Sequence, residues 1–219
     1  MDTPNVEFYF DVASPYSYLA STQIGDLCER LGCAATWRPM LLEGVFKASG
    51  NRSPIALSAK ASHLIQDLTR WAAVYGVPFH MPSSFPANSL LAMRVLSALQ
   101  ERGDHAALRA AAHALFRRHW DEGEDISNAE DIGAALATTS LDVDALLERA
   151  ALPVVKLHLR AATEQAVARG VFGAPTLFVQ DQMFFGNDRL MLLEATYPDG
   201  VPSARLIAPT EGPLTMDET

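Results

Sequence analysis

The sequence has few cysteines, no long apolar run and no excess of basic residues, and each shortage disfavours a class of protein. Two cysteines among 219 residues are too few for a disulfide-stapled scaffold. The apolar stretches fall short of the roughly 20 residues that a membrane-spanning helix needs. With 17 basic and 26 acidic residues the net charge is −9, which makes nucleic acid and anionic membranes poor partners.

Apolar residues, in contrast, are abundant. They make up 49% of the chain and charged residues 20%, which is enough for a sizeable core. The length suits one large domain or one domain that carries an insertion. The segment MDTPNVEFYF has neither the basic nor the apolar region of a signal peptide. We therefore expect a globular protein of the cytoplasm.

Hydrophobic patterning predicts two blocks of strands that flank a long helical block. Residues 6–12 and 34–40 have strand composition, and a helix of some 17 residues between them starts after Ser14-Pro15. Between residues 42 and 152 the periodicity is only helical. We predict helices there over residues 58–75, 89–102, 105–120, 128–138 and 143–149.

Strand patterns return near the C-terminus. A helix is predicted over residues 154–169, two short strands over 175–180 and 182–185, and a last helix from Asn187 or Asp188 to Tyr197. This element order predicts an α/β protein with a thioredoxin-like fold and an inserted all-helical domain. We place the thioredoxin-like domain at residues 1–42 plus 153–219 and the inserted helical domain at residues 43–152.

The turn Ser14-Pro15-Tyr16-Ser17 is the first candidate site, because it lies where a thioredoxin-like protein places its two reactive cysteines. The amides and the dipole at a helix N-terminus favour an anion such as a thiolate. The Ser14 hydroxyl can donate a hydrogen bond to the thiolate of a bound thiol, but serine cannot perform dithiol–disulfide exchange. An ordinary helix N-cap explains the same residues.

Two later turns are also candidates. The Ala174–Pro175 peptide bond opens a predicted strand and is either cis, which exposes the Ala174 backbone to a ligand, or trans, in a plain strand start. Asn187 and Asp188 precede an apolar helical run. Asp188 either pairs with a ligand ammonium group or belongs to a capped helix with a surface ion pair.

A loop that opens the helical block carries several cationic and amide side chains, namely Lys47, Asn51, Arg52 and Lys60. They form either part of a binding site or an ordinary solvated loop. The histidines and the acidic run near residue 123 lack the spacing of metal ligands, so we predict no metal. No glycine-rich phosphate-binding loop is present.

Single motifs are weak evidence, but their order resembles one family. The motifs are FYFDxxSPYSYLA at 8–20, LLxGVFKASGN at 41–51, RWAxxYGVPF at 70–79, GVFGAPTLFV at 170–179 and FFGNDRL at 184–190. Together they resemble the 2-hydroxychromene-2-carboxylate isomerases, which are relatives of the kappa-class glutathione transferases in the DsbA-like thioredoxin group. The resemblance extends over about residues 6–193.

The resemblance implies a glutathione-dependent isomerase with glutathione as cofactor. Ser14 would hydrogen-bond the glutathione sulfur, and Ala174, before a cis Pro175, would pair with the cysteinyl part. Asn51 and Lys60 would lie near the glycyl end. The γ-glutamyl end would be held by Phe185, Gly186, Asn187 and Asp188.

On the substrate side, the resemblance implies that Lys47 holds the carboxylate of an aromatic substrate. The thiolate would add to 2-hydroxychromene-2-carboxylate or its ring-opened pyruvate, and rotation followed by thiolate release would give trans-o-hydroxybenzylidenepyruvate. Relatives are usually dimers, so we expect a homodimer. A kappa-class-like transferase is the alternative function, and a non-catalytic glutathione-binding module stays possible.

The substrate half departs from the family pattern. Ile55 and Ala56 stand near where the naphthalene-degrading isomerase has a polar pair, and Phe85 stands where it has a tyrosine. We therefore expect an intact glutathione half and an altered aromatic half, so that the natural substrate can be a different conjugated ketoacid.

Overall fold

A mixed four-stranded sheet forms the centre of the thioredoxin-like part. Its strands are β1 (Asn5–Phe10), β2 (Ala34–Pro39), β3 (Thr176–Val179) and β4 (Gln182–Phe185). The order is β2-β1-β3-β4, with β1 parallel to β2 and the other neighbours antiparallel. This computed structural model describes residues 4–52 and 58–202, without the side chains of residues 58–60.

Helices connect the two halves of this sheet and surround it. They are α1 (Pro15–Arg30), α2 (Leu42–Ser49), α3 (Ser58–Tyr75), α4 (Leu90–Glu101), α5 (His105–Phe116), α6 (Ala129–Leu136), α7 (Val143–Ala150), α8 (Pro153–Ala168) and α9 (Arg189–Thr196). A π-helical turn, Arg117–Asp121, extends α5. Between β2 and β3 the described residues contain no strand, which confirms the predicted helical insertion. The boundaries at residues 43 and 152 stay a prediction, and residues 203–219 lie outside the described part.

Local sequence signals explain α1, the helix that follows β1. The Ser14 side chain accepts a hydrogen bond from the Ser17 amide at 3.2 Å, and Pro15 occupies the first helical position, where no amide donor is needed. Leu19 and Leu27 lie on its buried face. The helix ends before Gly32, whose φ of 61° lies in the left-handed region that favours glycine.

Aromatic side chains fill the space between the sheet and the helices. Phe8 and Phe10 of β1 are fully buried and stack at 5.2 Å between ring centroids. Trp37 of β2 meets both rings edge-on at 5.0 and 5.2 Å. Such contacts stabilise a core beyond the area that they bury.

The helix α2 corrects the prediction that Lys47 lies in a loop. Val45 is fully buried, and α2 ends at Gly50, whose φ is 71°. An eight-residue helix that ends at Ser49 and is followed by Gly50 and Asn51 gives almost no periodic signal, so the sequence does not reveal its apolar side. Lys60, predicted in the same loop, lies on α3.

Asp11, directly after β1, accepts hydrogen bonds from three segments of the chain. Its carboxylate is buried, with Oδ1 accepting from the Ala13 amide at 2.9 Å and Oδ2 from the Leu42 amide at 2.8 Å and the Ser89 hydroxyl at 3.1 Å. Its carbonyl oxygen accepts from the Ser14 amide at 3.0 Å. Burial raises the pKa of Asp11 although these three donors oppose the shift.

The helical insertion supports the same turn from another side. The Trp120 indole donates to the Val12 carbonyl at 2.8 Å, and Trp120 is fully buried. The Val12 amide in turn donates to the Met93 sulfur at 3.4 Å. The turn between β1 and α1 is therefore held by side chains that lie 81 and 108 residues further along the chain.

The described residues contain neither a helix of membrane-spanning length and apolarity nor a cluster of metal-ligating side chains. No helix in this part of the chain is long and apolar enough to cross a bilayer. No group of three or more His, Cys, Asp or Glu side chains within it is arranged to hold a metal ion.

Asp11→Asn tests how much the buried Asp11 side chain and its hydrogen bonds contribute to stability. The raised pKa means that the folded chain binds the Asp11 proton more tightly than the unfolded chain. The stability that Asp11 contributes is therefore full below its ordinary pKa of 3.8 and decreases as the pH rises through the folded pKa. The substitution places an amide donor against backbone donors, at a cost of about 1–3 kcal/mol.

We expect this cost to be larger at pH 4 than at pH 8 when urea unfolding of the two proteins is compared. Asp26→Asn, an exposed change on α1, is the control and should leave the free energy of unfolding almost unchanged at both pH values. A cost for Asp11→Asn that increases with pH would contradict the shift.

Candidate active site

Ser14 and Ala174 meet where α1 begins. The Ser14 hydroxyl donates to the Ala174 carbonyl at 3.0 Å, across 160 residues of chain. The Ala174–Pro175 peptide bond is cis. Ser14 is only 3% exposed, so the surrounding residues cover its hydroxyl almost completely.

The loop before β3 packs on the end of β4. The rings of Phe172 and Phe185 lie 4.4 Å apart, and the Gly186 amide donates to the Pro175 carbonyl at 3.0 Å. A Cβ at Gly173 would lie 2.6 Å from the far edge of the Phe185 ring, so a larger residue there would require the ring to move away from its present position. Four of the predicted site residues, Ala174, Pro175, Phe185 and Gly186, are therefore neighbours.

Asn51 joins the same region from the segment after α2. Its side-chain amide donates to the Phe172 carbonyl at 2.9 Å, which brings an exposed amide group beside the loop that contains Ala174. Arg52 follows it and is exposed as well. This contact places Asn51 two residues from Ala174 along the neighbouring backbone, and its role at the glycyl end of glutathione stays a prediction.

Asn187 and Asp188 precede α9, but not as a helix cap. Asp188 occupies the N-cap position without a side-chain cap bond and instead pairs with Arg189 at 2.9 Å. Its backbone is in the helical region, with φ −65° and ψ −19°, which does not direct the carboxylate back toward the first-turn amides. The capping alternative is therefore wrong, and the surface ion pair is present.

Two tyrosines that were not among the predicted site residues lie near Asp188. Tyr75 of α3 donates to the Asn187 carbonyl at 3.2 Å, and Tyr16 donates to the Asp67 carboxylate at 2.7 Å. Burial raises the pKa of both phenols; Asp67 raises that of Tyr16 further, and Asp188 contributes to both. Both hydroxyls stay protonated near neutral pH and act as hydrogen-bond donors.

Their motifs were visible in the sequence, since Tyr16 lies in the SPYSY segment and Tyr75 in RWAxxYG. Nothing in either motif indicates that α1, α3 and the start of α9 meet. The two carboxylates of this region, on Asp67 and Asp188, make it suitable for a cationic group.

The predicted substrate residues make their described contacts with residues outside this cluster. Phe85 packs edge-on against Trp120 at 5.5 Å. Lys47 lines a pocket between α2, α4 and α8 whose described lining includes neither Ser14 nor Ala174. The Lys60 side chain, Ile55 and Ala56 lie outside the described residues.

Comparisons with known proteins show the family of this chain. Residues 5–198 match the DsbA-like thioredoxin domain, so the chain belongs to that class. It is 39% identical over 195 residues to the 2-hydroxychromene-2-carboxylate isomerase of Sphingobium xenophagum, covering 88% of this chain and 97% of the relative. The chain therefore belongs, within the DsbA-like class, to the 2-hydroxychromene-2-carboxylate isomerase family.

A second relative and a solved structure are also similar to this chain. Human glutathione S-transferase kappa 1 is 34% identical over 200 residues, covering 86% of this chain and 88% of the relative. A solved 2-hydroxychromene-2-carboxylate isomerase superposes with a TM-score of 0.81 at 30% identity, covering 89% of this chain and 95% of that one. These relatives support an enzyme of the isomerase and kappa-transferase group.

Gly173→Ala tests the packing that joins the two loops. The new methyl group would push the Phe185 ring away from Phe172, so we expect to lose the contribution of one aromatic pair, about 0.5–1.5 kcal/mol, from the free energy of unfolding. Gly25→Ala on α1 is the matched control, because nothing lies within 4 Å of its Cβ position and alanine favours a helix by about 0.5–1 kcal/mol. Urea unfolding measures both, and equal stabilities of the two variants would refute the contact.

Proposed function

We propose that this protein is a glutathione-dependent isomerase. It would interconvert 2-hydroxychromene-2-carboxylate, or a related ring-opened aromatic ketoacid, with trans-o-hydroxybenzylidenepyruvate or its analogue. The observation that carries the proposal is the Ser14 hydroxyl, which lies at the N-terminus of α1 against the carbonyl that precedes Pro175. Serines at 14 and 17 leave this turn without a nucleophile for dithiol exchange.

The side chains around this hydroxyl suit glutathione, which carries a thiol, one ammonium group and two carboxylates. A sulfur atom beside Ser14 would lie at the positive end of the α1 dipole, which favours the thiolate. The Ala174 backbone would run beside the cysteinyl part, in the manner of an added strand. Asn51 would bind the glycyl end, with Lys60 as the counter-charge there.

The start of α9 suits the γ-glutamyl end, which is zwitterionic. The Asp188 carboxylate would take the ammonium group, and the adjacent Arg189 guanidinium, 2.9 Å from it, would take the α-carboxylate together with the helix N-terminus. Phe185, Gly186 and Asn187 would form the wall of this subsite. The Asp188–Arg189 pair thus presents both charges that this end requires.

Bound glutathione would supply a thiolate that adds reversibly to the conjugated ketoacid, so that the former double bond can rotate. The residues of this chain would hold and orient the glutathione and the aromatic acid. The Ser14 hydroxyl would turn from the Ala174 carbonyl to donate to sulfur, which stabilises the anion. Tyr75, kept protonated by its raised pKa, would orient the Asn187 segment, and Lys47 and Phe85 would contact the aromatic acid.

A kappa-class-like transferase is the second candidate, because human glutathione S-transferase kappa 1 is 34% identical to this chain. In that case the thioether would leave as product and glutathione would be consumed. The residue roles above hold for either outcome. We further propose a homodimer, a cytoplasmic location and an inserted helical domain that spans residues 43–152.

The experiment follows the ultraviolet absorbance of 2-hydroxychromene-2-carboxylate with the full chain, with and without reduced glutathione, while free thiol is assayed in parallel. Conversion that requires glutathione at constant thiol is the expected result. Conversion with loss of thiol would establish the transferase instead. Glutathione binding without conversion of this or related ketoacids would overturn the isomerase and favour a binding module.

Ser14→Ala should reduce kcat by about 10- to 100-fold, because one hydrogen bond to the thiolate is lost. The glutathione Kd should change by less than about threefold, since the rest of the tripeptide is still held. Ser21→Ala is the matched control: it removes another buried α1 hydroxyl, one that donates to Tyr18. Steady-state kinetics and calorimetry decide, and an unchanged kcat in Ser14→Ala would refute the role.

Asp188→Asn should weaken glutathione binding by about tenfold, as expected for one charge-assisted hydrogen bond. The fold should be retained, because Asp188 caps no amide. Asp144→Asn, an exposed change on α7, controls for the lost charge. Calorimetric titration with glutathione measures all three proteins. If the two variants bind equally well, Asp188 does not contact the ammonium group.

A further inference from the structure

We propose that Cys28 and Cys33 form a reversible oxidation site, at which a hydroperoxide converts the two thiols into a disulfide within one chain. They are the two cysteines of the sequence, and both are free thiols in this structure. The site lies at the C-terminal end of α1, about 20 Å along the helix from Ser14. The proposal therefore does not depend on the proposed glutathione chemistry.

The end of α1 brings the two cysteines together through the backbone. The Cys33 amide donates to the Cys28 carbonyl at 2.9 Å, and the Gly32 amide donates to the Glu29 carbonyl at 3.2 Å. With Gly32 at a φ of 61°, these bonds form a Schellman ending, in which the side chains at the two cysteine positions commonly touch.

This ending also satisfies the distance that a disulfide requires. Standard backbone dimensions and the 2.9 Å bond keep the Cα atoms of Cys28 and Cys33 less than about 6.8 Å apart. Disulfides join Cα atoms over this range. The two sulfur atoms can therefore be linked without unwinding α1.

The two thiols differ in burial and in hydrogen bonding. Cys28 is 4% exposed and belongs to the hydrophobic core, whereas Cys33 is partly exposed and packs against that core. A hydrogen bond between the two side chains lowers the pKa of Cys33, and the same bond together with burial raises the pKa of Cys28. Cys33 is therefore the thiol that ionises more readily and that solvent reaches.

This difference assigns the order of events. The Cys33 thiolate attacks a hydroperoxide oxygen, the O–O bond breaks, and the departing oxygen takes up the proton that Cys33 lost, which leaves a sulfenic acid. The Cys28 sulfur then attacks the Cys33 sulfur, the S–O bond breaks, and the leaving hydroxide takes the Cys28 proton as water. Two thiols are oxidised to one disulfide while one hydroperoxide is reduced.

Oxidation of Cys33 also prepares Cys28 for the second step. The hydrogen bond to Cys33 and the charge of its thiolate are among the causes that raise the pKa of Cys28. Both weaken once Cys33 carries a hydroxyl group in place of a negative charge. The disulfide in turn protects Cys33 from irreversible oxidation to the sulfinic acid.

The test treats the full chain, freed of reductant, with a small molar excess of hydrogen peroxide. Thiols counted in denaturant should decrease from two to none, because the chain has two cysteines, and the intact mass should decrease by two hydrogen atoms. Trypsin cleaves after Arg30, between the cysteines, so the disulfide should join two peptides that dithiothreitol separates. A non-reducing gel should show the mass of one chain.

Single substitutions separate the two roles. Cys28→Ser removes the second thiol and should leave Cys33 as a sulfenic acid that dimedone traps. Cys33→Ser should show at least about tenfold less dimedone labelling, because the remaining thiol is buried and little ionised. Thermal unfolding checks each variant, and the peptide mapping of the unsubstituted chain still decides the disulfide if a variant does not fold.

Three results would overturn the proposal. Two free thiols after peroxide treatment, or an unlinked sulfenic acid that accumulates in the unsubstituted chain, would show that the sulfur atoms do not join. A disulfide-linked pair of chains on the non-reducing gel would show that Cys33 reacts between copies instead. Stronger dimedone labelling in Cys33→Ser than in Cys28→Ser would contradict the assigned order.

Discussion

The buried carboxylate of Asp11 is the constraint on which the arrangement of this molecule depends. It receives hydrogen bonds from the turn before α1, from the first residue of α2 and from Ser89 at the start of α4. A buried acceptor with three protein donors fixes the relative positions of those donors, because any one of them would be costly to leave unpaired. The thioredoxin-like half and the helical insertion are thereby joined beside Ser14.

That junction explains how residues from distant parts of the chain form one site. Ser14 contacts Ala174 across 160 residues, Tyr75 contacts Asn187 across 112, and Asn51 contacts Phe172 across 121. The carboxylates of Asp67 and Asp188 lie in the region of Tyr16 and Tyr75. Lys47 and Arg94, in contrast, line the pocket between α2, α4 and α8. Arg189 pairs with Asp188 at 2.9 Å, so the region beside the tyrosines offers charges of both signs.

The sequence predicted the parts that rest on local signals. Ser14 and Pro15 carry the chemistry of a helix start, and the strands have the expected apolar patterns, so the element order and the fold class were confirmed. The helix α2 was missed because eight residues provide barely two turns of periodicity. The predicted helix cap at Asp188 was wrong, because the residue type alone does not determine the backbone angles that a side-chain cap requires. Contacts such as Tyr16 with Asp67 join separate helices, and no spacing along the chain encodes them.

In the proposed function, the N-terminus of α1 and the Ser14 hydroxyl stabilise the thiolate of bound glutathione. The most direct measurement is the pKa of that thiol, titrated by thiolate absorbance near 240 nm with the protein in excess. We expect a pKa about 1–2 units below the ordinary thiol pKa of about 8.5, with part of the shift lost in Ser14→Ala. A bound thiol that titrates like free glutathione, or a shift that Ser14→Ala leaves unchanged, would contradict it.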